Sequence, residues 1–423
     1  MEQTYLYIFV IIVSVSFVFS LILDGLNTKH WCNGLPERLK SIITDAEYQK
    51  SISYYKQHES LSKWEEALSF ILILLVLVYG GFGWLDSALS NVTSHFILLP
   101  LLFFGVLGLL SGLISLPFEI YSTFIIEDRF GFNKTTIKTY ILDKIKGIVL
   151  SIIIGGGMLS LIITIYHYTG NWFWILALGA VVVFSVFSVM FYSTLIVPLF
   201  NKQKPLEQGE TRSAIESFAQ RTGFKLDNIF VIDGSKRSTK ANAYFTGFGK
   251  KKRIVLYDTL INKHTTNELV AILAHEIGHY KHHHILKGMA LSFIETGFVL
   301  FLLSRFIDPS TTIAHHICAA LGASQPSFHI GVLAFGLLYS PISTIISSFS
   351  NMLSRHFEYQ ADRFAGTYCD PNDLQEALKR LSVDHLSNLN PHPLYVFIHY
   401  SHPPLISRLE GLEQLKKISK SVT

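Results

Sequence analysis

Seven stretches of this chain are long and apolar enough to cross a lipid bilayer, and they limit its possible folds more than any other feature. They lie at 5–23, 67–85, 96–116, 148–166, 174–197, 289–306 and 330–349. A helix needs about 20 apolar residues to span the hydrocarbon. Six of the stretches hold no Asp, Glu, Lys or Arg; the sixth in order carries Glu295, with Arg305 at its end. In lipid, every backbone N–H and C=O must be bonded within its own segment, so such stretches read as helices. A chain that is 49% hydrophobic and only 16% charged is not an ordinary soluble globule. The first stretch could also be a cleaved signal peptide. It lacks a basic start, its apolar run is long and no small-x-small site follows, so we read it as a retained span.

The basic residues assign an orientation. Connectors 24–66, 117–147, 198–288 and the tail 350–423 hold six, five, fifteen and eight Lys and Arg, whereas 1–4, 86–95, 167–173 and 307–329 hold none. Basic residues stay in the cytoplasm, so the N-terminus is expected outside and both long polar segments inside. The net charge of +4 then follows from topology, and no nucleic-acid partner is expected. Cys32, Cys318 and Cys369 are scattered, without metal spacing, and no disulfide is expected.

The expected architecture is mostly α, a multi-pass membrane protein with seven transmembrane helices and a cytoplasmic zincin-like metalloprotease domain that carries a small β-hairpin or sheet. Residues 1–200 form a membrane domain with five spans. Residues 201–288 begin the protease domain, 289–349 supply the sixth and seventh spans, and 350–423 complete the protease domain. Within 201–288 the pattern predicts a helix at 211–222, with Ile215 and Phe218 on one face, and a strand at 228–233. A hairpin at 242–248 and 253–257 is expected around Gly249-Lys250-Lys251-Lys252. A helix at 265–281 follows, opening on Thr265 with Glu268 in its first turn. The connector helix at 46–63 is expected to lie against the membrane face, with Tyr54, Tyr55 and Trp64 at the interface.

The last of these soluble helices carries Ala274-His275-Glu276-Ile277-Gly278-His279. His275 and His279 are four apart, so they stack on one face and can hold one metal ion. Glu276 beside them is placed to take a proton from a water on that ion. A catalytic zinc takes three protein ligands and leaves a position for water. The spacing H-E-x-x-H-x-x-G-x-x-H fails, because His282 stands where Gly is required and Ile285 where His is required. His283 shares the face of His275 and His279 but lies about 12 Å along the axis from His275. His282, His283 and His284 therefore read as structural or interfacial. The third ligand is sought at Glu358, in Ser354-Arg355-His356-Phe357-Glu358-Tyr359-Gln360-Ala361-Asp362. Here Glu358 can ligate while Asp362, four residues on, accepts the free N–H of a ligand histidine. On spacing alone this acidic pair could equally be a solvated helix face.

H-E-x-x-H followed far downstream by E-x-x-x-A-D-x-x-A resembles the membrane gluzincins related to the CAAX prenyl endopeptidase type 1. The downstream part departs slightly: two residues separate Glu358 from Ala361, while the Glu-to-Asp spacing of four is kept. Leu116-Pro117-Phe118-Glu119-Ile120-Tyr121 and Ile126-Glu127-Asp128-Arg129-Phe130-Gly131-Phe132-Asn133-Lys134 are similar to that family's signature before its fourth span. Asn242-Ala243-Tyr244-Phe245 and Ser401-His402-Pro403-Pro404 are similar to further family motifs. Shorter heat-shock-type membrane metalloproteases share the zinc motifs but lack the 127–134 signature. The resemblance covers nearly the whole chain. It implies one Zn2+ held by His275, His279 and Glu358, with Glu276 as general base and Asp362 orienting a ligand histidine or donating a proton. It also implies Asn242 on the hairpin edge as a binder of substrate backbone and His402 as stabiliser of the oxyanion, with Arg408 a weaker candidate in that region. A large chamber enclosed by tilted helices is part of the same expectation.

The expected function is a zinc endopeptidase acting on peptide or protein substrates, lipidated or not, at a membrane whose lipids it contacts. A quality-control protease without prenyl specificity is the alternative. A transporter or channel is disfavoured because Glu295 alone is clearly ionisable within the spans. The short connector 307–329 and a tail without a dilysine signal point to a bacterial inner membrane over the endoplasmic reticulum.

Overall fold

The computed structural model describes residues 2–32, 34–224, 229–246 and 253–422. Helices dominate. Five helical runs are long and apolar enough to cross a membrane: Glu2–Trp31, Leu98–Arg129, Ile137–Phe200, His284–Phe306 and Phe328–Tyr368; the bent pair Asp45–Val78 and Gly81–Ser90 makes a sixth if counted as one span. All seven apolar stretches fall on these helices, two of them in the run Ile137–Phe200. A short break at Gly170–Trp172 separates those two, and Ile163 packs with Phe173 and Ala177 across it. Large apolar side chains point outward along the runs, with Ile152, Val183 and Leu109 each more than 60% exposed. Such a surface is costly in water and suits lipid.

The connector helix expected at 46–63 is not a separate surface element. It is the first half of one 34-residue helix, Asp45–Val78, capped by a reciprocal Thr44–Glu47 box, that runs straight into the second apolar stretch. Trp64 is exposed as an interface residue should be, but Tyr54 and Tyr55 turn inward. The Tyr54 hydroxyl donates to Glu127 and Asn27 donates to the Tyr55 hydroxyl. The interfacial reading of these two tyrosines is therefore corrected: each has a polar partner inside the protein that outcompetes the membrane surface.

The soluble part is built on a four-stranded sheet, β1 (Gln203–Pro205), β2 (Ile229–Ile232), β3 (Ala243–Thr246) and β4 (Arg253–Tyr257), in the order β1-β2-β4-β3. β3 and β4 form the expected antiparallel hairpin, Ala243 facing Leu256 and Thr246 facing Arg253, while β4 runs parallel to β2. The hairpin turn around Gly249-Lys250-Lys251-Lys252 and the start of the strand at Asn228 lie outside the described residues. β3 stands at the sheet edge, so one row of its backbone groups is unpaired within the sheet. The helix Glu210–Arg221 buries Ile215 and Phe218 in the same core as Ile254, Leu256, Leu269 and Leu273.

Two features position this unit on the membrane helices. Residues 132–135 pair with the chain leading into β3: Asn133 bridges Ser238, the Lys134 N–H donates to the Arg237 carbonyl at 2.9 Å, and the Thr239 N–H to the Phe132 carbonyl at 3.1 Å. Arg237 forks onto Asp143 at 2.8 and 3.0 Å. Then the helix Thr266–Lys281, with its Thr265–Glu268 capping box, packs along Phe328–Tyr368. Gly278 sits at their contact, where an added Cβ would lie 3.0 Å from the Ala361 Cα and 3.1 Å from the Phe364 Cβ. Gly278→Val should force these helices apart and destabilise the protein by about 1–3 kcal/mol, read as a lower unfolding midpoint in detergent. A midpoint equal to the parent's would mean the contact is slack.

Candidate active site

His275 and His279 project from one face of Thr266–Lys281 toward Glu358 on Phe328–Tyr368. The His275 Nε2 to His279 Nε2 distance is 3.2 Å, His275 Nε2 to Glu358 Oε2 is 3.4 Å and His279 Nε2 to Glu358 Oε1 is 3.2 Å. A tetrahedral zinc with ligand bonds of about 2.0–2.1 Å separates its ligand atoms by about 3.3 Å, so the donor set fits zinc in type and in spacing. The Glu358 Oε2 atom is buried and accepts no hydrogen bond, an expensive arrangement unless a cation completes it. Among the described residues these three form the one such cluster of metal-ligating groups.

Asp362 lies directly behind, on the same helix as Glu358. Its Oδ1 is 2.9 Å from His275 Nδ1, which directs Nε2 at the metal position. Arg408, on the C-terminal helix Leu405–Val422, in turn clamps Asp362 with two bonds of 2.8 and 2.6 Å. Burial alone would lower the His275 pKa, but the Asp362 and Glu358 carboxylates outweigh it and hold the imidazole up at about 9. The two neighbouring carboxylates thus favour a positive charge at His275. Asp362 and Glu358 likewise keep Arg408 charged despite its burial.

These groups open onto a cavity of about 1010 Å³. Asn242, just ahead of β3, and Ala243 and Phe245 within it form one wall, and Glu276 and His402 line the cavity with His275, His279 and Glu358. The cavity then extends between the span helices past Ser292, Glu295 and Ser350, and Ser350 donates to Glu295. His402 places Nε2 3.4 Å from Glu358 Oε1, while its Nδ1 is 3.0 Å from the Ser401 hydroxyl. Every candidate read from the sequence is thus gathered at one place, with Asp362 behind His275 and the other seven, Arg408 among them, on the cavity wall.

Three contributions escaped the sequence reading. His284, expected to be structural or interfacial, is buried with Nδ1 3.0 Å from His279 Nδ1. Its only sequence signal was an i+5 offset, which no helical face accommodates. His385 lines the cavity, and its Nε2 accepts the Ala241 N–H at 3.0 Å just before Asn242; nothing in Asp384-His385 marks this. Lys240, two residues from Asn242, reaches Glu127 of the 127–134 signature at 3.1 Å, beside His58 at 3.1 Å from the same carboxylate. The motif itself was legible, but its partner was not.

A family model described as CAAX prenyl protease N-terminal, five membrane helices, matches residues 26–202, and one for Peptidase family M48 matches 205–416. The CAAX prenyl protease 1 of Saccharomyces cerevisiae is 37% identical over 410 residues, covering 92% of this chain and 90% of its own. A CAAX prenyl protease 1 homolog of Arabidopsis thaliana is 36% identical over 390 residues, and one of Homo sapiens 31% over 429, each alignment covering about 90% of both chains. The crystal structure of S. mikatae Ste24p superposes with a TM-score of 0.90 at 33% identity, covering 97% of this chain and 99% of that one. These relatives are eukaryotic, so the expectation of a bacterial membrane, drawn from a short connector and a missing tail signal, loses its support.

Two outcomes follow from this geometry. Arg408→Met removes the guanidinium that forks onto Asp362 and leaves that buried carboxylate with the His275 ring as its remaining partner. Breaking the buried pair should cost about 3–5 kcal/mol, seen as a lowered unfolding midpoint together with reduced bound zinc, and full retention of both would remove Arg408 from the site. Burial, then Lys240, lowers the His385 pKa from its ordinary 6.5. The folded protein therefore binds fewer protons there than the unfolded chain, and this contribution to stability is complete above 6.5 and shrinks as pH falls below it. His385→Gln keeps an acceptor for Ala241 and should flatten the decline of the unfolding midpoint between pH 6.5 and 5. Equal slopes in parent and variant would contradict the assignment.

Proposed function

The chain belongs to peptidase family M48 and is a membrane zinc metalloprotease, and from this premise we propose that it removes the C-terminal tripeptide from prenylated proteins ending in a CAAX motif. The observation that carries the proposal is an open edge strand facing the three-donor cluster across a cavity that continues between membrane helices. A peptide can add to β3 as a further strand, its backbone held by main-chain bonds and by the Asn242 side chain. The lipid tail would occupy the far part of the cavity, whose volume of about 1010 Å³ is at the upper end for small-ligand sites, about 300–1,000 Å³.

His275, His279 and Glu358 would hold one zinc ion. When bound, zinc supplies Lewis-acid chemistry, polarising the scissile carbonyl and acidifying water. Glu276 accepts the proton of the attacking water and delivers it to the leaving amine. His402, at the cavity rim, donates Nε2–H to the oxyanion of the tetrahedral intermediate. The bonds from Asp362 to both His275 and Arg408 favour the orienting role over proton donation. For topology, we infer seven crossings, with the N-terminus outside and the catalytic segments in the cytoplasm. The Lys and Arg bias and the helical state of all seven apolar stretches support this. The eukaryotic relatives favour the endoplasmic reticulum, the other membrane weighed from the sequence.

The test compares a farnesylated CAAX peptide with its unprenylated form on purified protein in liposomes. Cleavage should favour the farnesylated peptide and stop on chelation. Glu276→Gln should retain zinc and lose about 10²–10⁴ in rate. Unchanged cleavage by Glu276→Gln would sink the general base. Equal rates on both peptides, with cleavage of misfolded membrane proteins, would replace prenyl specificity with quality control.

A further inference from the structure

His284 has no place in the mechanism above, yet it is 4% exposed and sits in direct contact with a metal ligand. The chain reaches this position by breaking the helix. His283 takes a left-handed conformation, φ 57°, which ends Thr266–Lys281 and starts the next helix at His284, folding the imidazole back beside His279. Left-handed backbone at a non-glycine residue is unfavourable and persists only where its surroundings hold it. The ring is held on its face as well, stacked on Phe357 at 4.3 Å and 10°.

The hydrogen bonds around His284 admit one proton arrangement compatible with a metal. His279 can offer its Nε2 lone pair only if its Nδ1 carries the proton. That proton faces His284 Nδ1 at 3.0 Å, which must then be the unprotonated nitrogen. His284 must therefore carry its own proton on Nε2, where the acceptor is Gln360 Oε1 at 2.8 Å. The Gln360 amide nitrogen is in turn 3.0 Å from His356 Nε2, which keeps the oxygen side toward His284. His356, Phe357 and Gln360 lie on the helical turn that also carries Glu358.

We propose that His284 and Gln360 are positioning residues that fix the tautomer of the metal ligand His279. The helix that donates the third ligand thus also prepares the second. His275 has a carboxylate for this purpose, Asp362; His279 has instead a neutral relay. The two ligands are consequently unequal, His275 backed by a charge and His279 by a chain of dipoles.

The proposal rests on the zinc site argued above, and the test separates the two. Zinc affinity of the full-length protein in detergent is measured by competition with a chromophoric chelator, for the parent and four variants. Gln360→Glu keeps an oxygen acceptor facing His284 and should hold affinity within about threefold. Gln360→Leu removes the acceptor and Gln360→Lys replaces it with a donor that favours the wrong tautomer. His284→Phe keeps the stack on Phe357 but removes the relay. Each of these three should weaken zinc by about 10–100-fold, the range for loss of a ligand's hydrogen-bond partner. Equal weakening by Gln360→Glu and Gln360→Leu would reduce Gln360 to a packing role and overturn the proposal. So would parent-like affinity in both Gln360→Leu and His284→Phe. Failure of the parent to bind zinc would instead overturn the site itself.

Discussion

The close approach of Thr266–Lys281 to Phe328–Tyr368 is the constraint on which the rest of the site depends. Neither helix alone supplies the three candidate ligands, since Thr266–Lys281 offers two imidazoles and Phe328–Tyr368 the Glu358 carboxylate. The glycine at 278 lets the backbone at Ala361 approach to where an added Cβ would lie only 3.0 Å away, and in this arrangement the three donors fall 3.2–3.4 Å apart. Two carboxylates brought together in a buried place repel each other. Arg408 offsets part of that charge through Asp362, and the remainder favours a cation at the cluster.

The membrane helices do more than anchor this pair of helices. The 127–134 segment reaches the chain just ahead of β3 through the Asn133–Ser238 bridge and the Glu127–Lys240 ion pair, and Arg237 ties the same chain to Asp143. His385 adds a bond to Ala241 from the C-terminal region. The edge strand that would receive a peptide is thus held from both halves of the protein, immediately before Asn242. An edge strand held on one side and open on the other is suited to adding a further strand.

Much of this was legible in the residues because helical periodicity is local. His275 and His279 share a face by spacing alone, and so do Glu358 and Asp362; what spacing could not show is that the two faces meet, which depends on Gly278 fitting against Ala361. The strand near 229 and the hairpin strands β3 and β4 were legible in the sequence, whereas β1 and the parallel pairing of β2 with β4 were not. The fate of Tyr54 and Tyr55 did not, because an aromatic residue with a polar tip suits a membrane interface and a buried hydrogen bond equally well. His284 was read as structural or interfacial from the sequence, but its place beside His279 was not legible, because it depends on the left-handed backbone of His283. The Asp45–Val78 helix was misread, since a change of composition near residue 66 suggested a break that the backbone does not make.

The central claim is that two histidines and one glutamate from two different helices form a single zinc site. X-ray absorption at the zinc edge, recorded on the purified full-length protein in detergent, tests it most directly. The account predicts one zinc per chain with a first shell of nitrogen and oxygen only, the scattering of two imidazole rings, and loss of one oxygen contribution on Glu358→Ala. A third imidazole, a sulfur in the shell, or an unchanged spectrum in Glu358→Ala would contradict it.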